Sequence, residues 1–527
     1  VAALCRVSRE DPQGMVDMYT ARAVDLEKGC WGPAYELPPV EGGFQFQAHD
    51  GGGGYRFCAT ADNTLYGWGR EAGEAEELLT WNTSDVSALG LSFCAVLPDG
   101  RLMVLVQTQN RKGVYYRLGV LTETSAADAP ERVVLTYAAD GMSDEDWARI
   151  HAFNTSQSKY RIEATDYREL GDNENDAWSG CKLLVTEVTA GRVPDIIDVG
   201  TLPWRQLGSK GLLEDLWPWI EGDPDLGREA LMEVPLLAAE IDGGLYLAFG
   251  SVGITTLAGA ERLVGDRHSW FLADLWAALE AMPEGSTVAE YFLPADTVLY
   301  YLLALRAESY VDWETGECSF DGEDFRSLLE FCGSFPAQLE VTDWDEANEE
   351  QRLRFSQGRQ LLKLAGINDL SEISFYNEDF EAALGGPCVF VGFPVEDGSA
   401  GSYFGVSGTR FAMNAASGNK EAVWTFIREV FLPRYEGGLD PKEQKYVETV
   451  RGKSSYGLPV NRADFKTKQR IAMKGWEASE DSAVPEYVPV TQAEMDRFMA
   501  FYNSIRRTNL SDNTIFDLVM EQCLPYF

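Results

Sequence analysis

Positive charge is scarce: 44 Lys and Arg stand against 84 Asp and Glu in 527 residues, a formal net charge of −40. A surface of that sign repels phosphate backbones and anionic lipid head groups, so no nucleic-acid partner is expected. Histidine is scarcer still. His49, His151 and His268 are too scattered for a Cys2His2 finger or a His-Glu-x-x-His helix, so no metal and no cofactor is expected. No apolar run approaches the ~18 residues of a membrane-spanning helix. The nine cysteines form no Cys-x-x-Cys pair, which argues against a metal cluster or disulfide framework. Apolar flanks, as in Phe57-Cys58-Ala59 and Phe331-Cys332, read instead as buried thiols acting as small hydrophobes.

Catalytic signatures are missing too. Gly452-Lys453-Ser454 imitates the end of a phosphate-binding loop, but five residues before that glycine stands Val447, so the backbone cradle fails. Gly405-Val406-Ser407-Gly408 is not a nucleophile elbow. Pairs of carboxylates arise by chance among so many acids and carry no weight. Asp312-Trp313-Glu314-Thr315-Gly316-Glu317 lacks the alternating ligands of a calcium loop and reads as a hairpin turn. Val1 to Cys5 shows no basic-then-apolar leader, and Leu4-Cys5 is no lipidation site, so an export signal or anchor is expected to be absent from this sequence.

What is present is an ordinary globular composition, 45% apolar and 24% charged, long enough for two to four domains at ~150 residues each. Residues 1–130 lack helical periodicity. Short β-type runs such as Phe44 to Gln47 and Tyr55 to Cys58 alternate with Gly- and Asp-rich turns. Phe57-Cys58-Ala59 recurs as Phe93-Cys94-Ala95, and Asp62-Asn63 as Asp99-Gly100, 36 to 37 residues later. That offset suits one propeller blade, so a small β-meander or partial propeller is expected here.

The pattern changes near Glu131. Val133 to Tyr137 reads as a buried strand. Ser143 with Asp146 forms a capping box, opening a helix with Trp147, Ile150 and Phe153 inward. Strands at Tyr160 to Glu163 and Asp195 to Asp198 bracket a helix around Leu183 to Ala190, an alternation that predicts a mostly parallel sheet covered by helices. Apolar stripes follow at Phe325, Leu328, Leu329 and Cys332, and at Val423, Phe426, Ile427 and Val430 before Pro433. A third, Met495, Phe498, Met499 and Tyr502, follows a Thr491/Glu494 cap. These are core positions, as are Trp147, Trp270 and Trp424.

Gly191-Arg192-Val193-Pro194-Asp195-Ile196-Ile197-Asp198 resembles a segment of the extracellular solute-binding proteins of ABC importers, family 1, the sugar-binding type. Trp147 to Asn154 before Tyr160 to Glu163, Lys210 to Leu216, Asp242 to Gly250, and Tyr403 to Asn414 leading into Ala415 to Ala422 agree in order. The resemblance covers residues 131–527. It implies an α/β fold of two periplasmic-binding-protein-like lobes (type II) with a hinged cleft: 131–248 plus about 388–430, and 249–387 plus about 431–527. It further implies a non-enzymatic, monomeric receptor at the cell surface that captures a small solute, foremost a carbohydrate, and hands it to the membrane subunits of an ABC permease. Closure of such a cleft requires contacts to both lobes. On matching positions the implied ligand residues are Asp140, Thr201, Trp204, Phe249, Ser251, Asp296, Tyr300, Asn368, Asp369 and Tyr403. A polysaccharide hydrolase or lyase, and a sensor or interaction ectodomain, are the alternative readings. The acidity also suits a cationic solute such as a polyamine.

Overall fold

The computed structural model describes residues 2–11, 14–36, 47–61, 63–69, 75–88, 90–110, 113–124, 131–172, 176, 178–191, 194–290, 293–312, 315, 317–336, 344–395, 398–433, 457–474, 488–509, 513–523 and 525. Phe44 to Phe46, Asp62, Arg192, Val193, Trp313, Glu314, Gly316 and Gly452 to Ser454 lie outside the described residues. The chain divides into two units, residues 1–135 with 141–163, and residues 136–140 with 164–527.

The first unit is β-rich. Strands β1 (Ala2–Asp11), β2 (Gly14–Asp25) and β3 (Cys30–Glu36) form an antiparallel meander. A seven-stranded sheet follows, ordered β10-β9-β8-β4-β5-β6-β7. Its strands are β4 (Gln47–Asp50), β5 (Tyr55–Ala61), β6 (Thr64–Gly69), β7 (Glu76–Thr80), β8 (Leu91–Val96), β9 (Leu102–Asn110) and β10 (Gly113–Leu121). The repeated Phe-Cys-Ala lies on equivalent strands, β5 and β8, each opening a three-stranded antiparallel meander. The meanders are not separate blades: β4 pairs with β5 on one side and, in parallel at Asp50–Ala95, with β8 on the other.

Alternation along β5 sends Cys58 into a cluster with Leu65, Trp81, Leu91, Cys94 and Val104, while Phe57 and Ala59 join Ala21, Tyr35 and Trp68. Phe57 stacks on Trp68 at 4.6 Å between centroids. The helix Asp144–Ser156 belongs to this unit and carries the expected Ser143/Asp146 capping box. It is fixed by Asn154, whose Nδ2 donates to Asp85 Oδ1 at 2.9 Å, and by the adjoining Arg161–Asp85 ion pair.

The second unit holds two sheets. In the first, β11 (Val133–Ala139), β12 (Tyr160–Asp166), β13 (Ile196–Asp198) and β18 (Phe411–Met413) lie in the order β12-β11-β13-β18; β11 and β12 run on from the first unit. β13 is parallel to β11 and antiparallel to β18. The second sheet is built on β14 (Ser251–Ala260), which pairs antiparallel with β15 (Leu362–Ile367), β16 (Cys388–Phe390), β17 (Tyr403–Ser407) and β19 (Leu458–Pro459). Being covered on both faces, β14 reads as a nearly continuous apolar and small-residue run, and all but Thr255 of it is buried. Its core includes Leu257, Trp270, Val298, Leu302, Val391, Phe393 and Tyr403.

Three segments run together from one sheet to the other. Ala248 and Phe411 exchange backbone hydrogen bonds at 2.8 and 3.0 Å, and Val460 donates to Gly250 at 3.0 Å. This is the two-lobed α/β arrangement with crossing strands that the resemblance implies. The partition differs from expectation at two places. Residues 131–135 and 141–163, expected in the first lobe, group with the β-rich unit. Residues 388–407, expected in the first lobe, supply β16 and β17 to the second sheet, because both hydrogen-bond to β14; the crossing back falls between Ser407 and Phe411.

Of the eight cysteines whose side chains are described, six are buried as expected, whereas Cys30 and Cys318 are exposed. Trp270 and Trp424 are buried, and Trp147 is half-buried. Val311 bridges Cys318, and Asp312 N donates to Glu317 O at 2.9 Å, a hairpin turn as read.

Candidate functional site

The crossing organises the polar groups around it. Opposed residues of antiparallel strands share a face. Ser251 with Ser407, Gly253 with Gly405, and Thr255 with Tyr403 and Gly366 therefore make one strip along β14. At its centre are glycines. A side chain on Gly405 would meet nothing within 4 Å, whereas one on Gly253 would strike the Asn368 side-chain oxygen at 2.4 Å. Space is thus open above Gly405, the floor of the strip, while the Asn368 amide lies over Gly253 beside it.

A tyrosine wall closes one end. Tyr403 is buried, and burial pushes its phenol well above the ordinary value, while a hydrogen bond to Thr255 works the other way. Tyr300 and Tyr301 act on it from the helix Ala295–Arg306, which packs on the second sheet through Val298, Leu299 and Leu302. Tyr301 stacks on Phe393 at 5.9 Å, and Tyr300, edge-on to Tyr301, is half exposed.

Arg410 stands in the link between β17 and β18. Its Nη1 donates to Gly200 O at 3.1 Å and its Nη2 to Val406 O at 3.3 Å, tying the loop after β13 to the crossing. Burial holds the guanidinium below its ordinary value; the Asp198 carboxylate and the Tyr300 phenol oppose that shift. Groups from both sheets therefore act on one another here: Asp198, Gly200 and Arg410 from the first sheet and its link, Tyr300 and Tyr403 from the second.

The ten residues expected in the site separate into three groups. Ser251, Tyr300, Asn368 and Tyr403 come together along the strip, with Ser251 and Tyr403 buried and Tyr300 and Asn368 accessible. Asp140 and Thr201 flank the first turn of the helix Ser179–Thr189. The Cys181 thiol donates to Thr201 O at 3.4 Å, and a side chain on Gly180 would strike Asp140 Oδ1 at 2.6 Å. Thr201 is half-buried. Asp140 has 1% of its side chain exposed, with Arg168 Nε 4.0 Å away. Its charge faces the positive end of that helix rather than solvent.

The remaining four are engaged in packing or in hydrogen bonds and ion pairs of their own. Trp204 opens a short helix, is 2% exposed and lies under the Arg205 guanidinium at 4.6 Å. Phe249 is wholly buried at the crossing. Asp296 accepts from Thr297 N at the start of its own helix. Asp369 takes Ser371 N and the Lys468 ammonium at 2.9 Å. Desolvation works against the Asp369 charge, but that cation and the Ser371 bonds hold its carboxyl below the usual range.

Sequence reasoning missed Arg410 and the glycine floor. Among the described residues no group of three or more His, Cys, Asp or Glu could hold a metal ion, and no helix is long and apolar enough to cross a membrane. Chemically, the strip offers a ring edge, an amide, a guanidinium and hydroxyls around the open space above Gly405.

No protein-family model matches the chain, and no curated protein does. Solved structures to which the chain is similar include the sugar-binding protein MalE from Xanthomonas citri, 14% identical, covering 74% of this chain and 90% of that one with a TM-score of 0.43. An extracellular solute-binding protein family 1 from Alicyclobacillus acidocaldarius is 16% identical over 75% and 93%, with a TM-score of 0.39. The cyclic alpha-maltosyl-1,6-maltose binding protein from Arthrobacter globiformis is 15% identical over 75% and 94%, with a TM-score of 0.37.

Proposed function

We propose that the chain is the extracellular solute-binding receptor of an ABC importer, holding a small polyhydroxylated solute, a carbohydrate, on the floor beside Tyr300 and releasing it unchanged to a permease. One observation carries the reading: side chains from both sheets converge where three strands cross, over a floor left open by glycine. A solute lying there touches both lobes, and only such shared contacts favour a closed form over an open one. Sugars suit the chemistry, since an apolar sugar face packs on an aromatic ring while amides and guanidinium groups take its hydroxyls. Tyr300, Asn368, Arg410 and Thr201 are the proposed contacts; Ser251 and Tyr403 shape the walls.

Gly405→Val tests this directly. The added side chain enters open space on a strand and leaves the thermal midpoint nearly unchanged, but it fills the floor. Isothermal titration with an oligosaccharide panel, and with spermidine as the cationic comparison, is expected to show saturable sugar binding by the native protein and none by the variant. Tyr300→Ala is expected to weaken binding about tenfold. Silence across the panel, or recovery of a cleaved sugar after incubation, overturns the proposal.

A further inference from the structure

A cavity lies away from the crossing, inside the second lobe. It has a volume of about 140 Å³ and sits between the helix Glu372–Leu384, strand β16 and the helix Gln492–Tyr502. Three rings form its apolar side. Phe390 and Phe501 lie 5.2 Å apart, Phe498 stands edge-on to both at 6.2 and 6.0 Å, and Ile373 adds to them. A cavity of this size and lining accepts a single benzene-sized ring.

The polar groups at the cavity divide into committed and available ones. Asn377 donates to Glu494 at 2.8 Å and accepts from Cys388 N at 2.9 Å; Glu494 also accepts from Thr491 N and Oγ1 within its capping box. Burial pushes the Cys388 thiol far above its ordinary value, which leaves it unreactive. His268 faces the Phe390 carbonyl through Nδ1 at 3.2 Å, an acceptor that fixes the proton on that nitrogen and leaves Nε2 available. Arg497 spends only Nη1, on Glu261 at 2.7 Å, and keeps further N–H donors for a ligand. One permanent cation and one imidazole nitrogen thus border a ring-sized apolar space.

We propose that this cavity is a second ligand site, separate from the crossing, for a small single-ring aromatic carboxylate. The ring lies among Phe390, Phe498 and Phe501, and the carboxylate meets Arg497. A guanidinium with unspent donors recognises a carboxylate by charge-assisted hydrogen bonds, and rings favour edge-on partners of the kind already present. A neutral ring fills the space equally well but leaves the Arg497 N–H donors not spent on Glu261 unused, so the acid is the preferred class.

The test is calorimetric titration of the full chain with benzoate, benzyl alcohol and benzene in parallel, with and without an oligosaccharide. Saturable benzoate binding, undiminished by sugar, is expected, with benzyl alcohol and benzene at least tenfold weaker. Ala493, exposed at the mouth on the first turn of its helix, provides a variant that spares the core. Ala493→Leu is expected to abolish benzoate binding with no change in thermal midpoint, and Arg497→Gln to weaken it tenfold or more while leaving benzene unaffected. Absence of benzoate binding at millimolar concentration, or binding unaltered by Ala493→Leu, overturns the site. Equal affinity for benzene and benzoate, or indifference to Arg497→Gln, overturns the assignment to a carboxylate. Because the crossing takes no part, these outcomes are independent of whether a sugar binds there.

Discussion

The β-rich unit and the two-sheet unit solve burial differently. Among the described residues the first splits its interior into two small clusters on opposite faces of one sheet, around Trp81 and around Trp68, and leaves Tyr116, Leu118 and Val120 exposed on its edge strand β10. The second gathers helices and strands around β14, which touches four partner strands at once. A small core gives each buried side chain a larger share of the stability that exists, since net stability is a narrow difference between large terms. Comparable deletions are therefore expected to have unequal consequences in the two units, and function at the crossing to survive damage to the first.

The largest expected effect is that of Trp81→Ala. The indole is wholly buried, and its Nε1 donates to Thr60 Oγ1 at 3.1 Å, which in turn bonds His49 at 2.9 Å. Its removal costs about 3–5 kcal/mol, enough to unfold a unit with so small a core. Denaturant titration is expected to show an early transition in the variant, with binding at the crossing retained. Phe404→Ala, of similar cost and equally buried beside Tyr502, is expected to remove that binding. A single transition shifted equally by both variants would merge the units into one cooperative body and end the contrast.

The same difference explains what could be read from the chain before its structure. Local chemistry was legible: the Ser143/Asp146 and Thr491/Glu494 capping boxes both form, and Val423, Phe426, Ile427 and Val430 are all buried. The Asp99-Gly100 turn joins β8 to β9 with Gly100 at φ 85°, the left-handed conformation that glycine adopts without penalty. Residue types alone could not tell a ring on a cleft from a ring in a core. Trp204 follows a proline after β13 and could have faced solvent, yet its helix turns it inward; Phe249 lies in a crossing segment with partners on both sides. Arg410 carries no local pattern at all. Its position depends on the register that sets Ser407 against Ser251 and Phe411 against Asp198, pairings between residues more than 150 positions apart.

A smaller effect separates the units by pH. Burial pushes the Glu290 carboxyl up to about 6 from 4.5, partly opposed by the Leu364 N–H at 3.1 and 3.2 Å and by Lys363. The folded two-sheet unit therefore holds this proton more firmly than the unfolded chain. The resulting stabilisation is complete below pH 4.5 and lost as pH rises through about 6. Its loss amounts to on the order of 1–2 kcal/mol. Glu290→Gln keeps an acceptor for Leu364 and is expected to flatten the decline in denaturant stability between pH 5 and 7. An unchanged slope would mean that Glu290 does not set it.

The smallest effect runs the opposite way in the β-rich unit. His151 is buried on the helix Asp144–Ser156 and stacks on Trp147 at 5.8 Å. Burial lowers its affinity for a proton below the ordinary value of 6.5, with Asp85 opposing and Arg161 reinforcing the shift. Here the unfolded chain binds the proton more readily. Stability is full above pH 6.5 and declines as pH falls through the lowered folded value. His151→Phe keeps a stacking ring and removes the titration, so the variant is expected to lose the acid-side decline. The readout is unfolding of the β-rich unit between pH 7 and 5, with the transition of the two-sheet unit as internal reference. If acid weakens both units alike, and the histidine variant with them, the opposite pH slopes are not a property of these two buried groups.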